Sequence, residues 1–219
     1  MGRKRVVRRA PKQAERTNIA IITVHPDKCS WGYHKSTLLT LLRNPHHRYY
    51  FLEAESGVNV AEPRNMLVRE FLEECDAEYA LWIDADIEWE PDIIDRLMGH
   101  DLPIVSALYM GHRKTTGDLF PVYTVAYSDR PGGHRADPED VPEGGGLIEV
   151  FGVGMGFCLI KREVHEALGY RLFWPFAETD LNDQQTGEDS TFCIRARDLG
   201  YKSYVDLDVR VGHQKSITI

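Results

Sequence analysis

The sequence predicts a single α/β domain, with a mixed sheet flanked by helices. Three observations predict it. Short apolar runs rich in β-branched residues alternate with segments whose apolar residues recur at helical spacing. The chain has 219 residues with a hydrophobic content of 42%, which suits one core of good size. One apolar run, residues 80–83, is too short for a helix and too apolar for a surface strand, so we expect it to lie in the middle of the sheet.

The N-terminal part begins the alternation of strand and helix. Residues 18–24 form the first predicted strand, which ends before a loop at His25. A helix is predicted from about Lys35 to Asn44, with its leucines facing inward, and residues 49–52 form a second strand that ends at Glu53. Glu55 lies in the turn that follows.

Pro63 indicates the first turn of the next helix. Its expected inward face holds Met66, Leu67, Phe71, Leu72 and Cys75. Arg64 lies at the N-terminal end, on the side of the sheet where ligands bind in open α/β folds. It could pair with a phosphate or with Asp84, or it could be an ordinary exposed arginine.

The strand at residues 80–83 is followed at once by Asp84-Ala85-Asp86. Carboxylate oxygens at the end of a buried strand are suited to a hard divalent cation and a phosphate-bearing ligand. An alternative is an acidic turn that only favours the dipole of the next helix.

The C-terminal part offers three further motifs. Gly152, Gly154 and Gly156 alternate between two predicted strands, and since no helix opens after them they are not a dinucleotide fingerprint. Gly187-Glu188-Asp189 starts the last helix, and Gly212-His213 follows the last strand. Residues 128–146 have almost no apolar side chain and are a candidate lid. The other predicted elements are strands 104–110, 122–127, 147–151, 157–160, 202–205 and 209–211, and helices following Pro91 and Arg162.

Charge is unevenly distributed. The net charge is −8, but residues 1–18 carry +6, which leaves −14 for the rest. We therefore expect residues 1–17 to be a basic, disordered arm, with the domain over residues 18–219, and we expect nucleic-acid binding only through that arm or a modified-base acceptor. No apolar run is long enough to span a bilayer, and no signal peptide is evident, so the expected location is a cytoplasm.

Taken in order, Asp84-x-Asp86, Gly152-x-Gly154-x-Gly156, Gly187-Glu188-Asp189 and Gly212-His213 resemble the motifs of GT-A nucleotide-sugar glycosyltransferases, most closely the inverting, family-two-like enzymes of bacteria and their viruses. The resemblance spans about residues 19–213. It implies a Rossmann-like GT-A domain with a nucleotide-binding half at about 18–110 and an acceptor half at about 111–219. A virus-encoded enzyme would work in the host cytoplasm.

The resemblance also implies roles. Asp84, Asp86 and His213 correspond to ligands of Mn²⁺ or Mg²⁺, and Asp189, with Glu188 beside it, to the catalytic base. Thr23, Glu53, Glu55, Arg64, Asp84, Asp86 and Gly154 are the candidate contacts to the nucleotide-diphosphate sugar, which serves as donor. A carboxylate base opposite the leaving diphosphate implies inversion.

Two other functions remain open at this point. A nucleotidyltransferase-like sugar-nucleotide enzyme would share the sheet and the acid-held metal, but it calls for a Gly-rich phosphate loop that His25-Pro26-Asp27 does not supply. A non-catalytic nucleotide-sugar-binding protein would keep the fold without turnover. The acceptor, whether a glycan, a protein or another hydroxyl compound, is not specified by the sequence.

Overall fold

The structure is a computed structural model that describes residues 16–57, 59–115, 118–123, 126–127, 145–170, 174–181 and 184–214. Residues 1–15 of the predicted arm and residues 128–144 of the predicted lid lie outside this part. The described strands are β1 Asn18–His25, β2 Arg48–Glu55, β3 Tyr79–Ile83, β4 Ile87–Glu88, β5 Ile104–Leu108, β6 Met110–Thr115, β7 Asp118–Tyr123, β8 Ala126–Tyr127, β9 Leu147–Val150, β10 Gly152–Val153, β11 Phe157–Lys161, β12 Thr179–Leu181, β13 Gln184–Thr186, β14 Ser203–Arg210 and β15 Gly212–His213. The helices are α1 Trp31–Arg43, α2 Ala61–Glu74, α3 Ile93–Gly99, α4 Arg162–Leu168 and α5 Glu188–Asp198.

Seven strands form the central mixed sheet, in the order β2-β1-β3-β11-β5-β14-β9. Strands β2, β1, β3, β5 and β14 run parallel, whereas β11 and β9 are antiparallel to their neighbours. The carboxyl ends of β1, β2 and β3 therefore share one edge with the amino end of β11. This mixed α/β architecture confirms the predicted fold class, and the shared edge positions the candidate site.

The core lies on both faces of the sheet. Every residue from Ala80 to Ile83 is buried, and so is every residue from Phe157 to Ile160 on the neighbouring β11. Burial on both faces explains why β3 reads as a continuous apolar run instead of an alternating one. The prediction for residues 80–83 is confirmed.

Helix α1 differs from the prediction in both start and orientation. It begins at Trp31, capped by the Ser30 hydroxyl, and it buries Ser36 and Thr40 while Leu38 and Leu42 are exposed. The reason is that Trp89 lies beneath the helix. Its backbone N–H donates to Ser36 Oγ at 2.9 Å, and its indole N–H donates to Thr40 Oγ1 at 3.0 Å. Burying these polar groups together satisfies both tryptophan donors.

Two further expectations are corrected. Met66 of α2 is exposed, so the inward face of that helix includes Leu67, Val68 and Phe71 but not Met66. The two short strands expected at residues 202–205 and 209–211 are one strand, β14, with an irregularity between Asp206 and Arg210. In the described part of the chain, no helix is both long and apolar enough to cross a membrane.

Candidate functional site

The acidic turn after β3 is fixed by backbone hydrogen bonds from three distant segments. Asp84 N–H donates to the Gly156 carbonyl at 3.0 Å, Ser30 N–H to the Ala85 carbonyl at 2.7 Å, and Gln214 N–H to the Asp86 carbonyl at 2.7 Å. The turn thus joins the start of β11, the start of α1 and the end of β15. Two carboxylates are held on a rigid backbone at the ligand-binding edge of the sheet.

Arg64 lies at the centre of a cluster of carboxylates. Its Nη2 is 3.5 Å from Asp84 Oδ1, its Nη1 donates to Glu188 Oε1 at 3.0 Å, and the same Nη1 contacts Asp189 Oδ1. The arginine side chain is only 6% exposed, whereas the three carboxylates are 21–39% exposed. A buried cation is therefore surrounded by acids that are partly exposed to solvent.

The guanidinium is held in place by its neighbours. The next residue, Asn65, donates from Nδ2 to the Phe176 carbonyl at 2.7 Å and accepts from the Phe176 N–H at 2.9 Å. The Phe176 ring lies beneath Arg64, 5.6 Å from ring centroid to Cζ. Phe176 is itself buried and so supports this cluster from below.

Two helix N-termini meet at this cluster. Arg64 lies in the first turn of α2, and Glu188 and Asp189 lie in the first turn of α5. A helix N-terminus carries a partial positive charge, so it favours the two acids of α5 and disfavours an arginine in α2. The acids of α5 and Asp84 supply the compensating charge. The sequence left the partner of Arg64 open. In the structure Arg64 contacts both predicted acidic motifs, at Asp84 and at Glu188-Asp189.

Asp86 pairs with His213. Strand β15 pairs antiparallel with β4, which brings His213 Nε2 to 3.1 Å from Asp86 Oδ1. Two adjacent ligands on an octahedral cation with bonds of about 2.1 Å are separated by about 3 Å. A carboxylate oxygen and an imidazole nitrogen at this separation fit Mn²⁺ or Mg²⁺. Among the described residues, the ligand atoms of Asp84, Asp86 and His213 do not all lie within 4.8 Å of one another. Its role as a ligand therefore stays a prediction.

The glycine motif packs against both the acidic turn and α5. The Met155 N–H donates to Asp189 Oδ2 at 3.1 Å, and the Gly156 N–H donates to Tyr109 Oη at 3.0 Å. A Cβ at Gly156 would lie 2.4 Å from Tyr109 Cζ, so this position excludes any side chain. Gly154 is buried in the same segment. Sequence reasoning missed Tyr109 and Met155, since a backbone donor and a strand-end tyrosine carry no motif.

The predicted nucleoside contacts lie at the carboxyl ends of β1 and β2. Thr23 is buried and its Oγ1 is 2.7 Å from Tyr33 Oη. Burial raises the pKa of the Tyr33 phenol to about 12, so this hydroxyl stays protonated. Thr23 is the register partner of Glu53, and both Glu53 and Glu55 are exposed. These residues lie at the predicted edge of the sheet. Among the described residues, no hydrogen bond or ion pair joins them to the Arg64 cluster.

No protein-family model matches the chain, and no curated protein sequence matches it. Similar solved structures include the A197 protein of STIV and GalNAc-T7. The A197 protein of STIV has a TM-score of 0.54 at 18% identity, over 92% of this chain and 96% of the other. GalNAc-T7, solved with UDP, GalNAc and Mn²⁺, has a TM-score of 0.51 at 12% identity, over 94% of this chain. This chain aligns with 45% of that longer protein. The two similarities show that this chain has a GT-A-type fold.

Proposed function

We propose that this protein is a metal-dependent glycosyltransferase that moves a sugar from a nucleotide-diphosphate sugar to an acceptor hydroxyl with inversion. One observation carries the proposal: Arg64 joins the acid of the β3 turn to the two acids of α5, on a GT-A-type fold. The likeness to a GalNAc-T7 structure that holds UDP, GalNAc and Mn²⁺ supports it. Under this proposal, these residues, far apart in sequence, would supply the cation site and the base that the reaction of a donor sugar with an acceptor needs.

Binding of the donor is assigned to the edge formed by β1, β2 and β3. Thr23, Glu53 and Glu55 would contact the nucleoside, and Gly154 would let the backbone approach the donor closely. Asp86 and His213, with Asp84, would hold Mn²⁺ or Mg²⁺, which when bound offsets the charge of the leaving diphosphate. Arg64 would contribute a fixed positive charge on the same side.

Proton removal from the acceptor is assigned to Asp189. The Met155 N–H and Arg64 fix the orientation of its carboxylate, and its position in the first turn of α5 helps to keep it ionised. An ionised carboxylate within hydrogen-bond reach of the acceptor hydroxyl accepts the proton as the hydroxyl attacks the anomeric carbon. One in-line displacement inverts that carbon, so an α-linked donor gives a β-linked product.

A thermal-shift screen of nucleoside diphosphates with and without Mn²⁺ tests the binding assignment. A ligand at 100 times its Kd adds about 2.7 kcal/mol to the free energy of unfolding, which is visible in Tm. We expect one nucleoside diphosphate to raise Tm strongly only when Mn²⁺ is present, and Asp86→Ala to lose that increment. Glu62→Ala, on the exposed side of the α2 N-terminus, is the control and should keep it. Equal shifts with and without Mn²⁺ would contradict the metal assignment.

Turnover then separates an enzyme from a binding protein. Incubation of the protein with sugars linked to the nucleoside diphosphate found in that screen, together with hydroxyl acceptors, should release free nucleoside diphosphate, and NMR of the glycosylated product should show the inverted anomer. Tight donor binding without release in the presence of a range of hydroxyl acceptors would favour the binding protein. A retained anomer would discard Asp189 as the inverting base.

A further inference from the structure

We propose that His46, His47 and Asp95 form a second metal site, separate from the candidate active site, that takes a zinc-class divalent ion. These three residues each offer a ligand atom, and the three atoms all lie within 4.8 Å of one another. The proposal does not depend on the glycosyltransferase assignment, because it rests on residues outside that site.

The ligand atoms lie close to one another. His47 Nε2 is 2.6 Å from Asp95 Oδ1, and His46 Nε2 is 3.7 Å from Asp95 Oδ2. The two imidazole rings lie side by side, with 4.0 Å between their centroids. The two carboxylate oxygens thus each face a different histidine. An ion between them would replace the hydrogen bond of His47 and draw in the half-buried His46 by a small side-chain movement.

The backbone on both sides of the cluster is fixed. The Asn44 side chain donates from Nδ2 to the Pro91 carbonyl at 2.7 Å, which ties the end of α1 to the segment before α3. The His47 N–H donates to the Asn44 carbonyl at 3.2 Å, and the Arg48 N–H donates to the Thr17 carbonyl at 3.0 Å. The histidines at the start of β2 and Asp95 in α3 are therefore held opposite each other before any ion binds, which lowers the cost of ordering them.

The location separates this cluster from the donor site. His46 and His47 precede β2, at the amino ends of the parallel strands, whereas Asp84 follows β3 at the carboxyl ends. A strand of five residues such as β3 spans about 16 Å. The two sites are thus on opposite edges of the sheet and should bind their ions independently.

The donor set selects the ion. Two imidazoles and one carboxylate are ligands of Zn²⁺ and its neighbours among the transition metals, while Mg²⁺ and Mn²⁺ favour oxygen-rich sites. Three protein ligands leave a position for water. His47 is buried and its Nδ1 has no hydrogen-bond acceptor among the described residues. It therefore lacks the hydrogen bond on the other ring nitrogen that strengthens the binding of a metal by histidine. We therefore expect an exchangeable site, about tenfold to a hundredfold weaker than a fully supported one.

Calorimetric titration of the tag-free, full-length, metal-free protein with ZnCl₂ tests the site. The wild-type protein should bind Zn²⁺, and Co²⁺ as a substitute should give a visible absorption band from its nitrogen and oxygen ligands. His46→Ala and Asp95→Asn should each weaken Zn²⁺ binding at this site at least tenfold. His34→Ala, an exposed histidine outside the cluster, is the matched control and should not change it.

A double variant, Asp86→Ala with His213→Ala, distinguishes this site from the donor site. Zn²⁺ binding that persists in the double variant and is lost in His46→Ala supports the proposal. Binding that disappears in the double variant, or that changes less than twofold in both His46→Ala and Asp95→Asn, overturns it. Circular dichroism before titration shows whether each variant is folded, and His46→Ala, which removes a half-buried side chain, should be.

Discussion

Two arginine side chains lie at opposite ends of α2, one from α2 itself and one from α4, and they have different partners. Arg64, in the first turn, is surrounded by the carboxylates of Asp84, Glu188 and Asp189. Arg162, from α4, donates to the Cys75 carbonyl at 2.8 Å and to the Leu72 carbonyl at 2.9 Å, near the last turn of the helix.

The difference follows from the helix itself. The last four carbonyls of a helix lack intrahelical donors and carry a partial negative charge, so an arginine there is favoured by both effects. The first turn offers the opposite charge, so Arg64 is disfavoured there unless acids from elsewhere surround it. Arg162 therefore satisfies the carbonyls at the end of α2, whereas the stability of α2 does not require an arginine at position 64. Such an arrangement is expected where a protein binds charged ligands.

The largest effect on turnover is expected at Asp189, one of the three acids that Arg64 contacts. Asp189→Asn keeps the shape of the side chain but removes its basicity, so the turnover rate should fall by about 10² or more while donor affinity is nearly unchanged. Steady-state kinetics with the donor identified by thermal shift would measure both. A turnover rate within threefold of the wild type would remove Asp189 from the catalytic role.

Arg162→Met should act on stability alone. It removes charge-assisted hydrogen bonds to the end of α2, worth about 2 kcal/mol in the free energy of unfolding, and leaves those carbonyls unsatisfied. Urea denaturation measures the loss, and turnover well below the unfolding midpoint should match that of the wild type. A large loss of turnover without loss of stability would mean that the comparison between the two ends of α2 is wrong.

Arg64→Met should act mainly on function. Without the guanidinium, the three carboxylates repel one another and the donor diphosphate, so we expect donor affinity to fall about tenfold, or about 1.4 kcal/mol. Arg69→Met is the control on the same helix, since Arg69 is exposed and pairs with Glu73 at 2.9 Å, outside the Arg64 cluster. Similar donor affinity in the two variants would contradict a role for Arg64.

The effect that is smallest near neutral pH concerns His165, in the helix that carries Arg162. Burial, and then the positive charge of Arg162, lower the pKa of His165 from 6.5 to about 3. The unfolded chain therefore binds a proton that the folded protein excludes, so this residue makes stability fall as the pH drops below about 6.5, by up to about 1.4 kcal/mol per pH unit. Urea denaturation across this range should show a shallower pH dependence in His165→Leu than in His34→Ala. Equal slopes would contradict the assignment.

The sequence by itself determined those elements whose formation depends on a few neighbouring residues. The apolar run of β3, the acidic turn at Asp84 and Asp86, and the start of α5 at Glu188 are all legible because strand burial, turn chemistry and helix capping act over a few residues. The order of the motifs also indicated the GT-A-type fold. A proline in the first turn was enough to place α2.

Only the tertiary structure decided which residues meet. Arg64 and Asp189 are 125 positions apart, and nothing in either local segment specifies their contact. The orientation of α1 was likewise decided by Trp89, which lies beneath the helix. Its two N–H donors require Ser36 and Thr40 on the buried face of α1, which leaves Leu38 exposed. Periodicity in the sequence shows which face of a helix is apolar. A buried N–H donor such as that of Trp89 also needs an acceptor, and Trp89 lies outside the local sequence of α1.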